Sequence, residues 1–306
     1  MQDTSEESIM RTEGDTWDIV SSVGMTALGV AAARAIETKQ PDALVHDEYA
    51  ALFVVASGDS DMNRLITDST LWAQTPLTAG FIGYRSKFFD DFFLSAATAG
   101  VTQAVILAAG LDVRAYRLDW PAHEIVFEID QPKVLEFKHQ VLTESGTAPK
   151  SDRHEVAVDL RDDWPAALVE AGFDPTSPTA WSAEGLLPYL PGAAQDALFA
   201  RIGQLSAPGS RVAAETIGDS VDMGRIAEQQ SEYLQGTPFG KVDLASLFYT
   251  DERTDPAEWL TAHGWTISSL HLQELAARYD RPMPAVPESM AQMFDNTRYL
   301  TAIKPS

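Results

Sequence analysis

Gly110, Asp130, Asp159 and Glu184 are the residues whose types and spacing could do chemistry together. Gly110 ends the apolar run Ala104-Val105-Ile106-Leu107-Ala108-Ala109. Twenty positions on, Asp130 ends a second run, Ile125-Val126-Phe127-Glu128-Ile129. In an open parallel sheet both positions fall at the carboxyl edge of the strands, where ligands bind. Glycine lets the backbone approach a ligand closely. A carboxylate at the next strand tip can accept hydrogen bonds from the two hydroxyls of a ribose, so the pair points to an adenosine-containing ligand. Asp130 also precedes Gln131-Pro132, which fits a helix cap equally well.

Asp159-Leu160 closes a third apolar segment. An acid there can accept from the exocyclic amine of adenine while Leu160 lies against the ring, although an Asp after a strand also caps turns. Glu184 sits inside the apolar stretch Ala180 to Leu190, where an acid is costly without a partner. It reads either as a carboxylate facing a cofactor or reacting group, which makes it the catalytic candidate, or as the partner of a structural arginine. Phe81, Tyr84, Phe88 and Phe92 step by three, four and four, a helical stripe that carries Arg85 and Lys87. A cofactor carboxylate would suit a bidentate Arg such as Arg85. Arg114 is a second candidate anion binder.

Other chemistries lack their signatures. The dinucleotide fingerprint G-x-G-x-x-G is absent, because its positions read Ala108, Gly110 and Val113. There is no H-E-x-x-H, G-x-S-x-G or P-loop, and the six histidines form no metal spacing. No metal is expected. The chain has no cysteine, so disulfides, thiolate zinc sites and a cysteine nucleophile are excluded. The formal charge of −23, from 22 basic and 45 acidic residues, repels phosphate backbones and anionic membranes. No nucleic-acid or membrane partner is expected. No apolar stretch nears the roughly 20 residues of a membrane helix, and Met1 to Asp18 lacks a signal-peptide pattern. Cytoplasmic residence is the default expectation.

The elements that must position these residues are those of an α/β protein. Helices are expected over Thr26–Glu37 and Asp42–Ala56, with the aromatic stripe as another, so residues 1–100 read as a helical N-terminal cover. Strands are expected at Ala104–Ala109, Glu124–Ile129, His154–Val158, Thr179–Leu186 and Arg211–Ile217. A helix from about Pro132 to Thr143 follows the second. This alternation predicts a mostly parallel, Rossmann-like sheet across residues 101–306. Residues 218–252 break the rhythm and read as a lid insertion after the fifth strand. A helix over Asp255–His263 and strands at Trp265–Leu272 and Arg298–Ile303 close the chain.

Taken together, Trp17-Asp18-Ile19-Val20, Val23-Gly24-Met25-Thr26-Ala27, Ala109-Gly110-Leu111-Asp112-Val113-Arg114-Ala115-Tyr116-Arg117-Leu118, Phe127-Glu128-Ile129-Asp130-Gln131-Pro132, Val158-Asp159-Leu160-Arg161 and Ala183-Glu184-Gly185-Leu186-Leu187-Pro188-Tyr189-Leu190 resemble the class I S-adenosylmethionine-dependent methyltransferases. The closer resemblance is to the leucine carboxyl methyltransferase-like family, in its mycobacterial and actinobacterial branch. That resemblance implies a seven-stranded sheet with one antiparallel strand, and S-adenosyl-L-methionine as cofactor. It implies that Asp130 holds the ribose and Asp159-Leu160 the adenine. Arg85 would bind the methionine carboxylate, Gly110 would pass beneath the methionine part, and Glu184 would line the site. The family's first glycine in this turn is Ala108 here. The expected function is O-methylation of a small carboxylate or hydroxyl-bearing metabolite. An NAD-dependent oxidoreductase and a catalytically silent S-adenosylmethionine-binding protein are the alternatives. Nothing in the sequence sets the oligomeric state.

Overall fold

Strands that are apolar on both faces need cover on both sides, and the central strands here have it. The computed structural model describes residues 22–74, 80–218, 225, 228, 247–283 and 288–305. Within these, α1 (Ser22–Glu37), α2 (Ala50–Ser57), α3 (Ser60–Thr67) and α4 (Ile82–Thr98) precede β1 (Gln103–Leu107). Then come α5 (Arg114–Arg117), β2 (Ile125–Asp130), α6 (Pro132–Glu144), β3 (Asp152–Ala157), α7 (Trp164–Glu170), β4 (Thr179–Ala183), α8 (Gly192–Gln204) and β5 (Arg211–Ile217). The chain closes through α9 (Pro256–Ala262), β6 (Thr266–His271), α10 (Leu272–Arg278), α11 (Glu288–Asn296) and β7 (Thr297–Ile303).

The strands form one seven-stranded sheet in the order β3-β2-β1-β4-β5-β7-β6. β7 runs antiparallel to both of its neighbours, and the pairings among β1 to β5 are parallel. This is the expected α/β architecture. Alternate residues of β1 serve two cores. Ala104 and Ile106 pack with the helices α1 to α4, while Val105 and Leu107 pack with Trp164, Trp181 and Phe199 on the other face.

The strand register decides which side chains reach the carboxyl edge of the sheet. Leu107, the last residue of β1, lies opposite Ile129 on β2 and Ala183 on β4, and Ala183 lies opposite Ala214 on β5. The next residues, Ala108, Asp130, Glu184 and Glu215, therefore stand level along the carboxyl edge of these parallel strands. β1 stops there because Ala108 turns left-handed, at φ 50°, ahead of Gly110 at φ 48°. The strand thus ends two residues before its apolar run does. β4 likewise stops at Ala183 rather than Leu186, since Gly185 adopts φ 59°. β3 lies earlier than its apolar pattern, over Asp152–Ala157, which leaves Asp159 in the loop beyond it.

The helix expected from Asp42 begins only at Ala50. Asp47 accepts hydrogen bonds from the Tyr49 and Ala50 N–H groups at 3.1 and 2.9 Å and so caps the helix there. The strand expected to reach Leu272 ends at His271, where the Glu274 carboxylate accepts the His271 N–H at 2.7 Å and starts α10 at once. The sequence pattern does not announce α3, α10 and α11. At 8, 7 and 9 residues, each is too short for its apolar side to repeat as a period. Most of the expected lid, residues 218–252, lies outside the described residues, as do residues 1–21 with the motif Trp17-Asp18-Ile19-Val20.

Arg34 ties the N-terminal helices to the sheet. Its Nε donates to Asp47 at 2.7 Å and its Nη2 to the Leu111 carbonyl at 2.6 Å, linking α1, the entry to α2 and the loop after β1. The pair is buried, with side-chain exposures of 9% and 0%. Arg34→Met strands the Asp47 charge, and a loss of about 3 kcal/mol is expected in urea unfolding. A loss under ~1 kcal/mol would show the clamp to be dispensable. Ala108→Gly acts the other way, because it relieves a left-handed non-glycine residue. A gain of up to about 1 kcal/mol is expected in the same assay, and an unchanged or lower midpoint would contradict the strain.

Candidate functional site

The strand-edge residues meet in one cavity of about 480 Å³, within the range typical of ligand sites. Its floor is the loop after β1, with Ala108 and Gly110. Asp130, Asp159 and Leu160 line one end; Arg85, Glu184 and Glu215 line the other. Neighbouring strands lie about 4.8 Å apart, so the backbone tips of β2 and β4, flanking β1, stand about 10 Å apart. That is the span of a nucleoside with a short appendage.

At the first end, Asp130 accepts the Gly110 N–H at 2.6 Å and the Gln131 N–H at 2.7 Å. The Gln131 side chain then donates to Asp159 at 2.8 Å, so the two acids share one wall of the cavity. Burial pushes the Asp130 carboxyl up to about 6, against the pull of its two backbone donors. Asp159 is also partly buried, but the Arg161 guanidinium and N–H hold its carboxyl below the usual range. Leu160 and Val158 supply apolar surface beside them.

At the other end the charges form a continuous network. Glu184 accepts from Arg85 Nε at 2.8 Å and from Arg114 Nη1 at 2.7 Å. Arg114, almost wholly buried, also bonds Asp90 at 2.7 Å and pairs with Asp112. Arg117 holds Asp90 through both Nη atoms at 2.6 Å. Arg85 reaches Glu215 at 3.5 Å, and the Tyr299 hydroxyl donates to Glu215 at 3.4 Å. Burial would raise Glu184, but the two guanidiniums win and bring its carboxyl down to about 2. It carries no proton at neutral pH. Burial dominates at Glu215 and raises its carboxyl, opposed by Arg85 and the Gly185 N–H.

Gly185 makes this arrangement possible. A Cβ there would come within 2.7 Å of Arg85 Nη2, so only glycine lets the guanidinium cross the β4 tip. Gly110 is different, because a Cβ would meet only ordinary contacts at 3.6 Å or more. Its positive φ, rather than crowding, calls for glycine.

Of the residues singled out from the sequence, Arg85, Gly110, Asp130, Asp159, Leu160 and Glu184 line this one cavity, whereas Arg114, the second candidate anion binder, lies behind it, bound to Asp90 and Glu184. Lys87, beside Arg85 on α4, pairs instead with Asp91. Arg34 and Glu215 line the cavity too, without having stood out in the sequence, and Gly185, known there only as part of the Ala183–Leu190 motif, joins them. Glu215 was findable by the rule that flagged Glu184, since it too is an acid within an apolar strand. Apolar and aromatic residues complete the cavity beyond Glu184, among them Phe81, Tyr189, Phe248, Tyr249 and Met293. Phe248 and Tyr249 belong to the far end of the segment read as a lid. The Tyr249 N–H donates to the Pro188 carbonyl at 3.0 Å, and Arg253 bonds the Leu187 and Leu190 carbonyls at 3.0 and 3.1 Å.

The lining suits a cation better than a diphosphate. Among the described residues five carboxylates, Asp112, Asp130, Asp159, Glu184 and Glu215, face three guanidiniums, Arg34, Arg85 and Arg161. No His, Cys, Asp or Glu cluster among the described residues could hold a metal. No helix among them is long and apolar enough to cross a membrane.

A protein of Rhodococcus jostii (strain RHA1) named "Putative S-adenosyl-L-methionine-dependent methyltransferase" is 58% identical, covering 96% of this chain and 100% of its own length. A protein of the same description from Mycobacteroides abscessus is 55% identical over the full length of both. A solved structure from Thermobifida fusca, described as a "putative methyltransferase", aligns over 90% of this chain and 94% of its own with 17% identity and a TM-score of 0.45. The sequence model of the leucine carboxyl methyltransferase family matches residues 27–203, from α1 through nearly all of α8. The chain belongs to the leucine carboxyl methyltransferase family.

Proposed function

We propose that this protein is an S-adenosyl-L-methionine-dependent methyltransferase that methylates an oxygen of a small carboxylate- or hydroxyl-bearing acceptor. The observation that carries the reading is the convergence of Gly110, Asp130, Asp159 and Glu184 on one cavity through the register of β1, β2 and β4. Family membership supports the transfer chemistry, and the relatives' names support the cofactor.

In this reading Asp130 accepts the ribose hydroxyls. Asp159 accepts the adenine amine, and Leu160 packs on the ring. The open backbone at Gly110 lies beneath the methionine part, and Arg85 holds its carboxylate. Glu184, bridged to Arg85 and Arg114, fixes the Arg85 guanidinium as a positioning residue; at neutral pH it is a poor proton acceptor. The cofactor supplies a methyl group already activated on a sulfonium. The protein's task is then to align the acceptor and exclude water, worth about 7–11 kcal/mol when the alignment is good. A carboxylate acceptor needs no general base, and no histidine lines the described part of the cavity. The surplus of acids in the lining opposes an anionic cofactor such as NAD.

Calorimetric titration with S-adenosylhomocysteine and NADH tests the reading. The first should bind and the second should not, and a screen of small acids and alcohols should reveal methyl transfer. NADH binding alone would favour the oxidoreductase. Binding of the first without transfer to any acceptor would favour a silent binding protein.

Asp130→Ala should weaken S-adenosylhomocysteine by at least ~2 kcal/mol, because two hydroxyls lose their acceptor. A protonated Asp130 cannot accept both donors, so affinity should fall as pH drops below about 6, approaching tenfold per pH unit. Asp130→Asn should remove that slope. A flat profile in the parent protein would contradict the assignment. Glu184→Ala should lower cofactor affinity or turnover in a folded protein; with both at parent levels, the Arg85–Glu184 pair is purely structural.

A further inference from the structure

A second cavity, of about 230 Å³, opens at the opposite end of β5 and shares no lining residue with the first. Its chemistry is the reverse. Arg211, the first residue of β5, and Arg278, the last of α10, both line it. Elsewhere in this acidic chain the arginines that pack inside have carboxylate partners: Arg34 with Asp47, Arg85 with Glu184, Arg114 with Asp90, Arg153 with Glu128; Arg211 is half-buried and Arg278 exposed. Among the described residues no carboxylate lies within ion-pair distance of Arg211 or Arg278. Arg211 Nε is buried and has no hydrogen-bond partner among them. No carboxylate neutralises this guanidinium among the described residues, so its charge is left for an anion in the cavity.

The rest of the lining defines that ligand. Phe88 and Phe92 give the lining aromatic, apolar surface, and Ser95 and Thr301 belong to it as well. The one acid in the described lining, Asp91, is already engaged by Lys87. The volume exceeds the ~150 Å³ that a benzene ring can fill in an apolar void. We propose that this cavity is a binding site for a small aryl anion, its carboxylate or phosphate on Arg211 and Arg278 and its ring against Phe88 and Phe92. Phe88 also packs on Tyr299 with ring centroids 5.0 Å apart. Tyr299 bonds Glu215 in the first cavity, so the two sites stand on either side of one aromatic wall.

The test titrates the full chain by calorimetry with benzoate, phenyl phosphate, inorganic phosphate and benzyl alcohol. One of the two aryl anions should saturate, and the tighter one tells carboxylate from phosphate. Inorganic phosphate and the alcohol should bind at least tenfold more weakly. Arg211→Gln leaves the Nε site without a hydrogen bond to lose, so it should fold, and it should weaken the aryl anion at least tenfold. Arg278→Gln, on an exposed residue, gives the same readout should the first variant unfold. Three results would overturn the site: no saturation by either aryl anion at millimolar concentration, undiminished binding in both variants, or inorganic phosphate binding as tightly as the aryl anions. Displacement of the aryl anion by S-adenosylhomocysteine would also overturn it, by placing the anion in the first cavity. Unchanged S-adenosylhomocysteine affinity in Arg211→Gln keeps this outcome separate from the proposed function.

Discussion

The alignment of strand ends in the parallel half of the sheet is the constraint on which the rest depends. Leu107, Ile129, Ala183 and Ala214 sit side by side in the ladder. A parallel pair fixes which residue follows its neighbour off the sheet, and side-chain alternation fixes which face it takes. A one-residue slip of β2 would turn Asp130 away and bury an unpartnered acid elsewhere. The apolar residues that precede each tip, packed on both faces, make that slip expensive. Burial of the strands thus sets the position of the polar residues at their ends.

The second layer of organisation is electrostatic. α4 crosses the sheet with Arg85 and Asp90 on its inner side, and α5 sends Arg114 and Arg117 to meet them. Each guanidinium in this network has a carboxylate partner and each carboxylate a guanidinium, the condition under which buried charge is tolerated. The network anchors the β4 tip to α4 and makes the β4–β5 end of the cavity rigid. The end near Asp130 is held by single backbone donors and keeps unused acceptor capacity. That contrast suits a cavity in which one end orients a ligand and the other recognises its sugar. The excess of carboxylates also favours a cationic sulfonium over an anionic cofactor.

Much of this was legible in the sequence, for physical reasons that can be named. Apolar runs ending in Gly110, Asp130 and Glu184 betray buried strands with polar tips, and the Asp255-Pro256 cap marks the start of α9. The boundaries were less legible. Ala108 carries no sign in its residue type that it turns left-handed, so β1 read two residues too far. Asp47 caps α2 while paired with Arg34, and that pairing across thirteen residues leaves no local pattern. The role of Gly185 depends on a side chain a hundred positions earlier. Arg211 is invisible for a related reason: a missing partner is a property of the fold.

The most direct test is a crystal structure of the protein grown with S-adenosylhomocysteine. The account predicts the ribose hydroxyls within hydrogen-bond distance of the Asp130 carboxylate and the adenine amine within that distance of Asp159, with the amino-acid tail running over Gly110 toward Arg85. A nucleoside bound anywhere else, or one in this cavity with position 130 turned away from the sugar, would contradict it.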